Sequence, residues 1–110
     1  MKRIKTTEEW KDILEKSDKS PFLIAKLSAT CSLSGFYARE LSKLSTDFDD
    51  MMYEVVVQES RDVSDMITDD LGVAHETPQV ILVEDKEAVF DADHDDIDTE
   101  ELQDKLKKFQ

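Results

Sequence analysis

Short apolar runs alternate along this chain with longer segments in which apolar residues recur at helical spacing. Apolar runs without alternation are typical of strands covered on both faces, and a repeat of three or four residues is typical of helices packed against such strands. The pattern predicts a chain of interleaved strands and helices. The predicted strands are residues 22–25, 55–57, 80–83 and 88–90, with a short first strand near residues 2–4 as an option, and the predicted helices are residues 7–17, 33–48, 63–71 and 98–109.

Local signals support the ends of these helices. Thr6 with Glu9, and Asp98 with Glu101, have the spacing of capping boxes, in which each side chain bonds the other's backbone N–H. Gly72 follows the last apolar residue of the third helix, where a left-handed residue commonly ends a helix.

The order of elements predicts the fold class. Strand–helix–strand units favour parallel neighbours with helices on both faces of the sheet. The short polar stretch at Asp85 and Lys86 joins the last two strands as an antiparallel hairpin. We therefore expect one α/β domain spanning residues 1–110, with a mixed four- or five-stranded sheet flanked by helices on both faces. This order of elements resembles the thioredoxin fold.

Charge and composition disfavour several functions. The chain has 27 acidic and 14 basic side chains, for a formal net charge of −13, which opposes binding to nucleic acid or to anionic membranes. No run approaches the length of a membrane span, and no apolar stretch follows the basic start as in a signal peptide. A single cysteine cannot form an internal disulfide. These features predict a cytoplasmic protein.

Cys31 is the residue with the clearest chemical potential. It lies where the first buried strand gives way to the longest helix, among small polar neighbours. The free N–H groups and the dipole of a helix start stabilise a thiolate, so the position predicts a lowered pKa for Cys31. A lone cysteine is otherwise often an inert buried residue. The position and the polar neighbours favour the reactive interpretation.

Thr77 and Pro78 immediately precede the strand at residues 80–83. Proline at such a place is often only a strand boundary. In thioredoxin folds, however, a cis-proline lies there and faces the active cysteine. The residue before it then presents its backbone to an incoming peptide.

Three blocks carry a more specific resemblance: residues 26–34 (KLSATCSLS), 57–64 (VQESRDVS) and 72–79 (GVAHETPQ). In this order and spacing they resemble the monothiol bacilliredoxin family. The resemblance implies a thioredoxin fold and a role in bacillithiol redox metabolism in a Gram-positive bacterium. It implies that the protein removes bacillithiol from mixed disulfides on client proteins.

The chain departs from the usual family pattern at three positions. Ser32 and Leu33 stand where the family has proline and isoleucine, and Thr77 stands where serine is common. Ser34 occupies the position of the second cysteine of dithiol thioredoxins. A serine cannot resolve a mixed disulfide, so a second thiol from solution must complete the reaction.

The resemblance also implies roles for particular residues. Cys31 is the expected nucleophile, and Lys26 is expected to help stabilise its thiolate. Lys26 and Arg61 are the expected cations for the carboxylates of bacillithiol. No metal or prosthetic group is implied, and bacillithiol is the expected co-substrate. The full set of expected substrate-binding residues is Thr30, Ser32, Ser34, Thr77, Pro78, Lys26 and Arg61.

The two histidines, His75 and His94, are isolated from one another and from Cys31, and we interpret them as surface or loop residues.

Two other functions remain open at this stage. One is a redox-inert adaptor in which Cys31 only packs. The other is a redox sensor in which Cys31 is oxidised to a sulfenic acid.

Overall fold

A mixed five-stranded sheet forms the centre of the molecule in the computed structural model, which describes residues 1–110. Two 3-10 turns, at Asp49–Met51 and His94–Asp96, complete the secondary structure. The strands and helices, in chain order, are β1 (Lys2–Arg3), α1 (Thr7–Glu15), β2 (Phe22–Leu27), α2 (Ser32–Phe48), β3 (Met52–Val56), α3 (Arg61–Leu71), β4 (Gln79–Glu84), β5 (Glu87–Asp93) and α4 (Thr99–Lys107).

The strand order across the sheet is β1-β3-β2-β4-β5. The β1, β3 and β2 strands are mutually parallel, whereas β4 runs antiparallel to β2 and β5 runs antiparallel to β4. The short first strand is present, and the sheet has the mixed character that the element order predicts.

Helices cover both faces of the sheet because side chains alternate along the central strand β2. Leu23, Ala25 and Leu27 pack with buried residues of α2 and α4. Phe22 and Ile24 pack on the opposite face, with buried residues of α1 and α3. Every residue of β2 is buried, which explains the apolar run at residues 22–25.

Several predicted element bounds are displaced by pairing between strands. The β3 strand begins at Met52 rather than at Val55, because Met52 and Tyr53 pair with β2. The β5 strand continues to Asp93, which pairs with Gln79. Among the helices, α1 ends at Glu15, two residues earlier than predicted.

The local signals act as expected, with one exception. Thr6 and Glu9 form the reciprocal capping box of α1, and Gly72 ends α3 with a φ of 68°. The hairpin turn has positive φ at both Asp85 and Lys86, as a two-residue turn between twisted strands requires. Asp98 accepts N–H bonds at the start of α4, but its capping box is not reciprocal.

Candidate active site

The strand register brings three distant segments to one end of the sheet. Lys26, near the end of β2, is opposite Gln79, the first residue of β4. Gln79 is in turn opposite Asp93, the last residue of β5. The loop that carries Cys31, the segment that ends at Pro78 and the turn after β5 therefore meet at this end.

Cys31 is the N-cap residue of α2, as its sequence position predicts, and its side chain is partly exposed. The backbone N–H groups of Ser34 and, to a lesser degree, Leu33 stabilise the charge of its thiolate, although its side chain forms no capping hydrogen bond to α2. Together with smaller contributions from the Ser34 hydroxyl and the charge of His94, they lower the pKa of the Cys31 thiol. The thiolate is therefore favoured at a position that solvent and substrates can reach.

Ser34 links the cysteine loop to the first turn of α2. Its side chain is buried, and its Oγ accepts the backbone N–H of Ser28 at 3.1 Å. Because that bond uses a lone pair of the oxygen, the hydroxyl proton remains available to donate to the Cys31 sulfur. Ser34 therefore acts on the thiolate rather than presenting an open surface to a substrate.

Gln58, which sequence analysis did not single out, holds the loop before Cys31. Its Oε1 accepts the N–H of Ala29 at 2.9 Å, and its Nε2 donates to Ser28 Oγ at 2.7 Å and to Thr30 Oγ1 at 3.4 Å. Thr30 and Ser32 are exposed on either side of Cys31. One amide side chain thus fixes the loop and leaves the residues that flank the sulfur open to solvent.

A cleft of about 310 Å³ opens beside Cys31. Arg3 from β1 lies in its wall and bonds two carboxylates: its Nη2 is 3.1 Å from Glu54 Oε2, and its Nη1 is 3.1 Å from Glu59 Oε2. The cleft therefore contains one cation and two anions. This differs from the locally positive site expected around Lys26 and Arg61, neither of which lines the cleft.

Thr77 and Pro78 directly precede β4, at the same end of the sheet as the loop that carries Cys31. The Thr77–Pro78 peptide bond is cis, as the resemblance to thioredoxin folds implies. Pro78 is buried, and its carbonyl oxygen accepts the backbone N–H of His94 at 3.0 Å. The N–H and C=O of Thr77 have no backbone partner within the chain, so both can bond an extended peptide.

Lys26 lies on the other side of the sheet from the cysteine helix, contrary to expectation. Its side chain is fully buried, and its Nζ donates to Ser64 O at 3.0 Å and to Thr68 Oγ1 at 2.8 Å, both in α3. Its Nζ also lies 3.4 Å from His75 Nδ1. Alternation along β2 directs Lys26 toward α3, whereas Cys31 begins α2 on the opposite face, so Lys26 is out of reach of a substrate in the cleft.

Arg61 is exposed at the start of α3, with its Nε 3.5 Å from Asp65 Oδ1. Its charge acts on Lys26 and His75, lowering the pKa of both, and is not among the influences on Cys31. The structure thus groups Arg61 with Lys26 and not with the thiol.

Burial of Lys26 predicts an unusual dependence of stability on pH. Loss of hydration lowers its pKa from 10.5 to about 8. Between these pH values the unfolded chain binds a proton that the folded chain does not, so the contribution of Lys26 to stability rises with pH. We expect the free energy of unfolding of the wild type, minus that of Lys26→Met, to increase by up to about 3 kcal/mol from pH 8 to pH 10.5.

Urea unfolding of both proteins across this pH range measures the difference. Lys16→Met, which alters an exposed lysine, is the matched control and should show little pH-dependent difference from the wild type. A flat difference for Lys26→Met would show that Lys26 keeps an ordinary pKa.

His94 and Asp93 complete the site and were not expected there. The His94 Nδ1 lies 2.9 Å from Asp93 Oδ1, and this bond, more than any other influence, raises the pKa of the imidazole. The backbone of His94 has a φ of 49°. The charge of His94 lowers the pKa of Cys31, and the charge of Cys31 raises the pKa of His94. Only the pairing of β5 with β4 could have revealed this proximity.

Comparison with known proteins agrees with this geometry. The chain is 26% identical to a solved structure described as a provisionally assigned oxidoreductase with a thioredoxin fold. The match covers 96% of this chain and 92% of the other, and the two superpose with a TM-score of 0.83. Fasciola hepatica thioredoxin is 10% identical over the whole of both chains, with a TM-score of 0.78, and Schistosoma mansoni thioredoxin is 17% identical over 100% of this chain and 95% of its own, with a TM-score of 0.70.

The fold and the single cysteine at the start of α2 are those of a thioredoxin-fold oxidoreductase with one cysteine. The family model described as monothiol bacilliredoxin BrxC matches residues 2–102. The chain belongs to the monothiol bacilliredoxin family. None of its helices combines the length and the apolar character that crossing a membrane requires.

Proposed function

We propose that this protein removes bacillithiol from mixed disulfides on client proteins, with Cys31 as the nucleophile. The observation that carries the proposal is the placement of Cys31: its side chain is partly exposed at the start of α2, where the backbone N–H groups of Ser34 and Leu33 favour the thiolate. The thiolate is the form that attacks a disulfide. Membership in the bacilliredoxin family supports bacillithiol as the thiol removed.

In the first step, the Cys31 thiolate attacks the bacillithiol sulfur of the mixed disulfide. A Cys31–bacillithiol disulfide bond forms, the bond between bacillithiol and the client sulfur breaks, and its electron pair leaves with the client thiolate. The client is reduced, and Cys31 is oxidised to the mixed disulfide.

The second step requires another thiol. Ser34 occupies the place of a resolving cysteine, and its hydroxyl cannot accept a sulfur in exchange. The thiolate of a second bacillithiol attacks the bacillithiol sulfur held on Cys31. Oxidised bacillithiol leaves, and the Cys31 thiolate is restored. Bacillithiol is thus a co-substrate, and no bound cofactor takes part.

The surroundings of Cys31 provide room for both substrates. The unpaired backbone groups of Thr77, beside Pro78, are suited to an extended client segment, and Thr30 and Ser32 flank the sulfur. The cleft on the other side suits the small thiol, and Arg3 is its one cation. We propose that a carboxylate of bacillithiol bonds Arg3 in competition with Glu54 and Glu59.

The cellular setting follows from the same chemistry. Because Cys31 acts as a free thiol, we place the protein in a reducing bacterial cytoplasm, where it restores clients after oxidative stress. The net charge of −13 argues against nucleic acid and anionic membranes as partners.

Intact-mass measurement after incubation with oxidised bacillithiol tests the proposal. The wild type should gain one bacillithiol per chain, because attack by Cys31 leaves one half of the disulfide on its sulfur. Cys31→Ala should gain none, and Ser42→Ala, which alters an exposed serine of α2 outside the site, should react like the wild type. Glutathione disulfide at the same concentration should modify the protein more slowly.

Three results would contradict the proposal. An unmodified wild-type protein would favour the redox-inert adaptor. A Cys31 that forms a stable sulfenic acid with peroxide but does not exchange with disulfides would favour the sensor. Equal rates with glutathione disulfide would remove bacillithiol as the preferred thiol.

A further inference from the structure

His94 directly follows β5, at the same end of the sheet as Pro78 and the loop that carries Cys31. Its backbone N–H bonds the Pro78 carbonyl at 3.0 Å, and the register of β5 with β4 fixes the preceding residue, Asp93, opposite Gln79. The segment that presents the Thr77 backbone is therefore directly connected to the turn that carries His94. A client segment bonded to Thr77 is thus next to the turn that carries His94.

The backbone conformation of His94 is uncommon for a residue with a side chain. Its φ of 49° lies in the left-handed region, which glycine or asparagine adopts more readily. Such conformations concentrate at functional sites, where the surrounding structure holds a side chain in a direction that it would not otherwise take. Here the bond to Pro78 and the 3-10 turn at His94–Asp96 hold it.

Asp93 orients the imidazole. The 2.9 Å contact between Asp93 Oδ1 and His94 Nδ1 places a proton on Nδ1 and leaves Nε2 for exchange with a substrate. The bond to Asp93 is the largest influence on the ring and raises the pKa of His94, and burial, the next largest, lowers it. The charges of Asp93, Glu76 and Cys31 raise this pKa further, so the net effect favours the cationic form of the ring.

We propose that His94, oriented by Asp93, is the acid that protonates the client thiolate as Cys31 displaces it. This role rests on the proposed function and adds a proton to its first step. As the bond between bacillithiol and the client sulfur breaks, the electron pair moves onto the client sulfur, and the proton on Nε2 moves to that sulfur. The client leaves as a neutral thiol. The neutral imidazole regains its proton from water.

The dependence of the rate on the leaving thiol tests this role. An alkyl thiolate is a poor leaving group and gains from protonation, whereas the thiolate of an aromatic thiol such as thionitrobenzoate leaves readily without it. Two mixed disulfides of bacillithiol are therefore compared, one with a cysteine peptide and one with thionitrobenzoate. The variant is His94→Asn, because asparagine tolerates the left-handed backbone.

We expect His94→Asn to slow release of the cysteine peptide at pH 7 by about tenfold or more relative to release of thionitrobenzoate, since positioned acids typically contribute about 10²- to 10⁴-fold. Loss of the His94 charge also changes the fraction of Cys31 that is present as thiolate, and this change affects both rates equally. The ratio of the two rates is therefore independent of it. In the wild type, the ratio of peptide release to thionitrobenzoate release should fall as rising pH removes the proton of His94, and this fall should be absent from His94→Asn. Asp95→Asn, in the same turn and exposed, is the control and should match the wild type.

An equal loss of rate with both leaving groups would overturn the proposal, because a structural or purely electrostatic role acts on both alike. If His94→Asn does not fold, Asp93→Asn takes its place and should shift the same ratio in the same direction; an unchanged ratio there would also overturn it. Failure of the underlying function is distinguishable, since it would abolish release of both leaving groups in the wild type.

Discussion

Replacing Ser34 with cysteine is expected to let the protein release bacillithiol from Cys31 without any thiol in solution. Residue 34 is three positions after Cys31 in the first turn of α2, and the Ser34 hydroxyl is among the groups that stabilise the Cys31 thiolate. A second sulfur there can attack the mixed disulfide, form an internal disulfide and expel bacillithiol, as in Cys-X-X-Cys proteins. The wild type should hold the adduct until bacillithiol is added.

Intact mass of the isolated Cys31–bacillithiol adduct, followed over time in thiol-free buffer, measures this difference. Ser34→Ala is the control and should retain the adduct. It should also raise the pKa of Cys31, because the stabilising effect of the hydroxyl on the thiolate is lost. An adduct that persists in Ser34→Cys would show that the side chain at position 34 does not reach the Cys31 sulfur.

Trp10→Ala is expected to cause the largest loss of stability among single truncations in the core. Trp10 is fully buried between α1 and the sheet, packs edge-on against Phe22 with ring centroids 5.8 Å apart, and donates from Nε1 to Asp70 at 2.9 Å. Removing the indole leaves a large cavity, for which typical losses are about 3–5 kcal/mol. This is a large fraction of the roughly 5–15 kcal/mol that stabilises a small domain.

Urea unfolding followed by far-UV circular dichroism measures this loss, since the variant lacks the only tryptophan. Phe36→Ala, which removes an aromatic ring that is 46% exposed, is the matched control and should cost less than about 1 kcal/mol. Similar losses for the two variants would mean that Trp10 does not anchor the face formed by α1 and α3.

The order and type of the elements could be predicted from sequence because each rests on local periodicity. The apolar pattern changes within a few residues from the continuous run at the start of β2 to the helical spacing of α2. The bounds were less predictable, because pairing decides them. Tyr53 and Asp93 belong to strands only because β2 and β4 lie beside them.

The candidate site was predictable only in its local part. Cys31 was found because a strand end, a cysteine and a helix start are adjacent in sequence. Arg3, Gln58 and His94 were missed because each reaches the site through long-range contacts: Arg3 through the pairing of β1 with β3, Gln58 through its bonds to the loop before Cys31, and His94 through β5. No local pattern encodes those contacts.

Lys26 shows how proximity in sequence misleads. It is five residues from Cys31, and a positive charge there was expected to serve the thiolate. The period of two along β2 instead places Lys26 on the face of α3, with Ile24 on the same side. Counting residues along the strand in steps of two predicts that Lys26 lies on the face opposite to the one that α2 covers.

The most direct test of the central claim compares the wild type with Cys31→Ala on a client protein that carries bacillithiol on one cysteine. The measured quantity is the rate at which free client thiol is released, in the presence of bacillithiol and under identical concentrations. If Cys31 is the nucleophile, the wild type should release the client rapidly, and Cys31→Ala should show only the rate of bacillithiol alone. Equal rates for the two proteins would show that Cys31 does not attack the mixed disulfide.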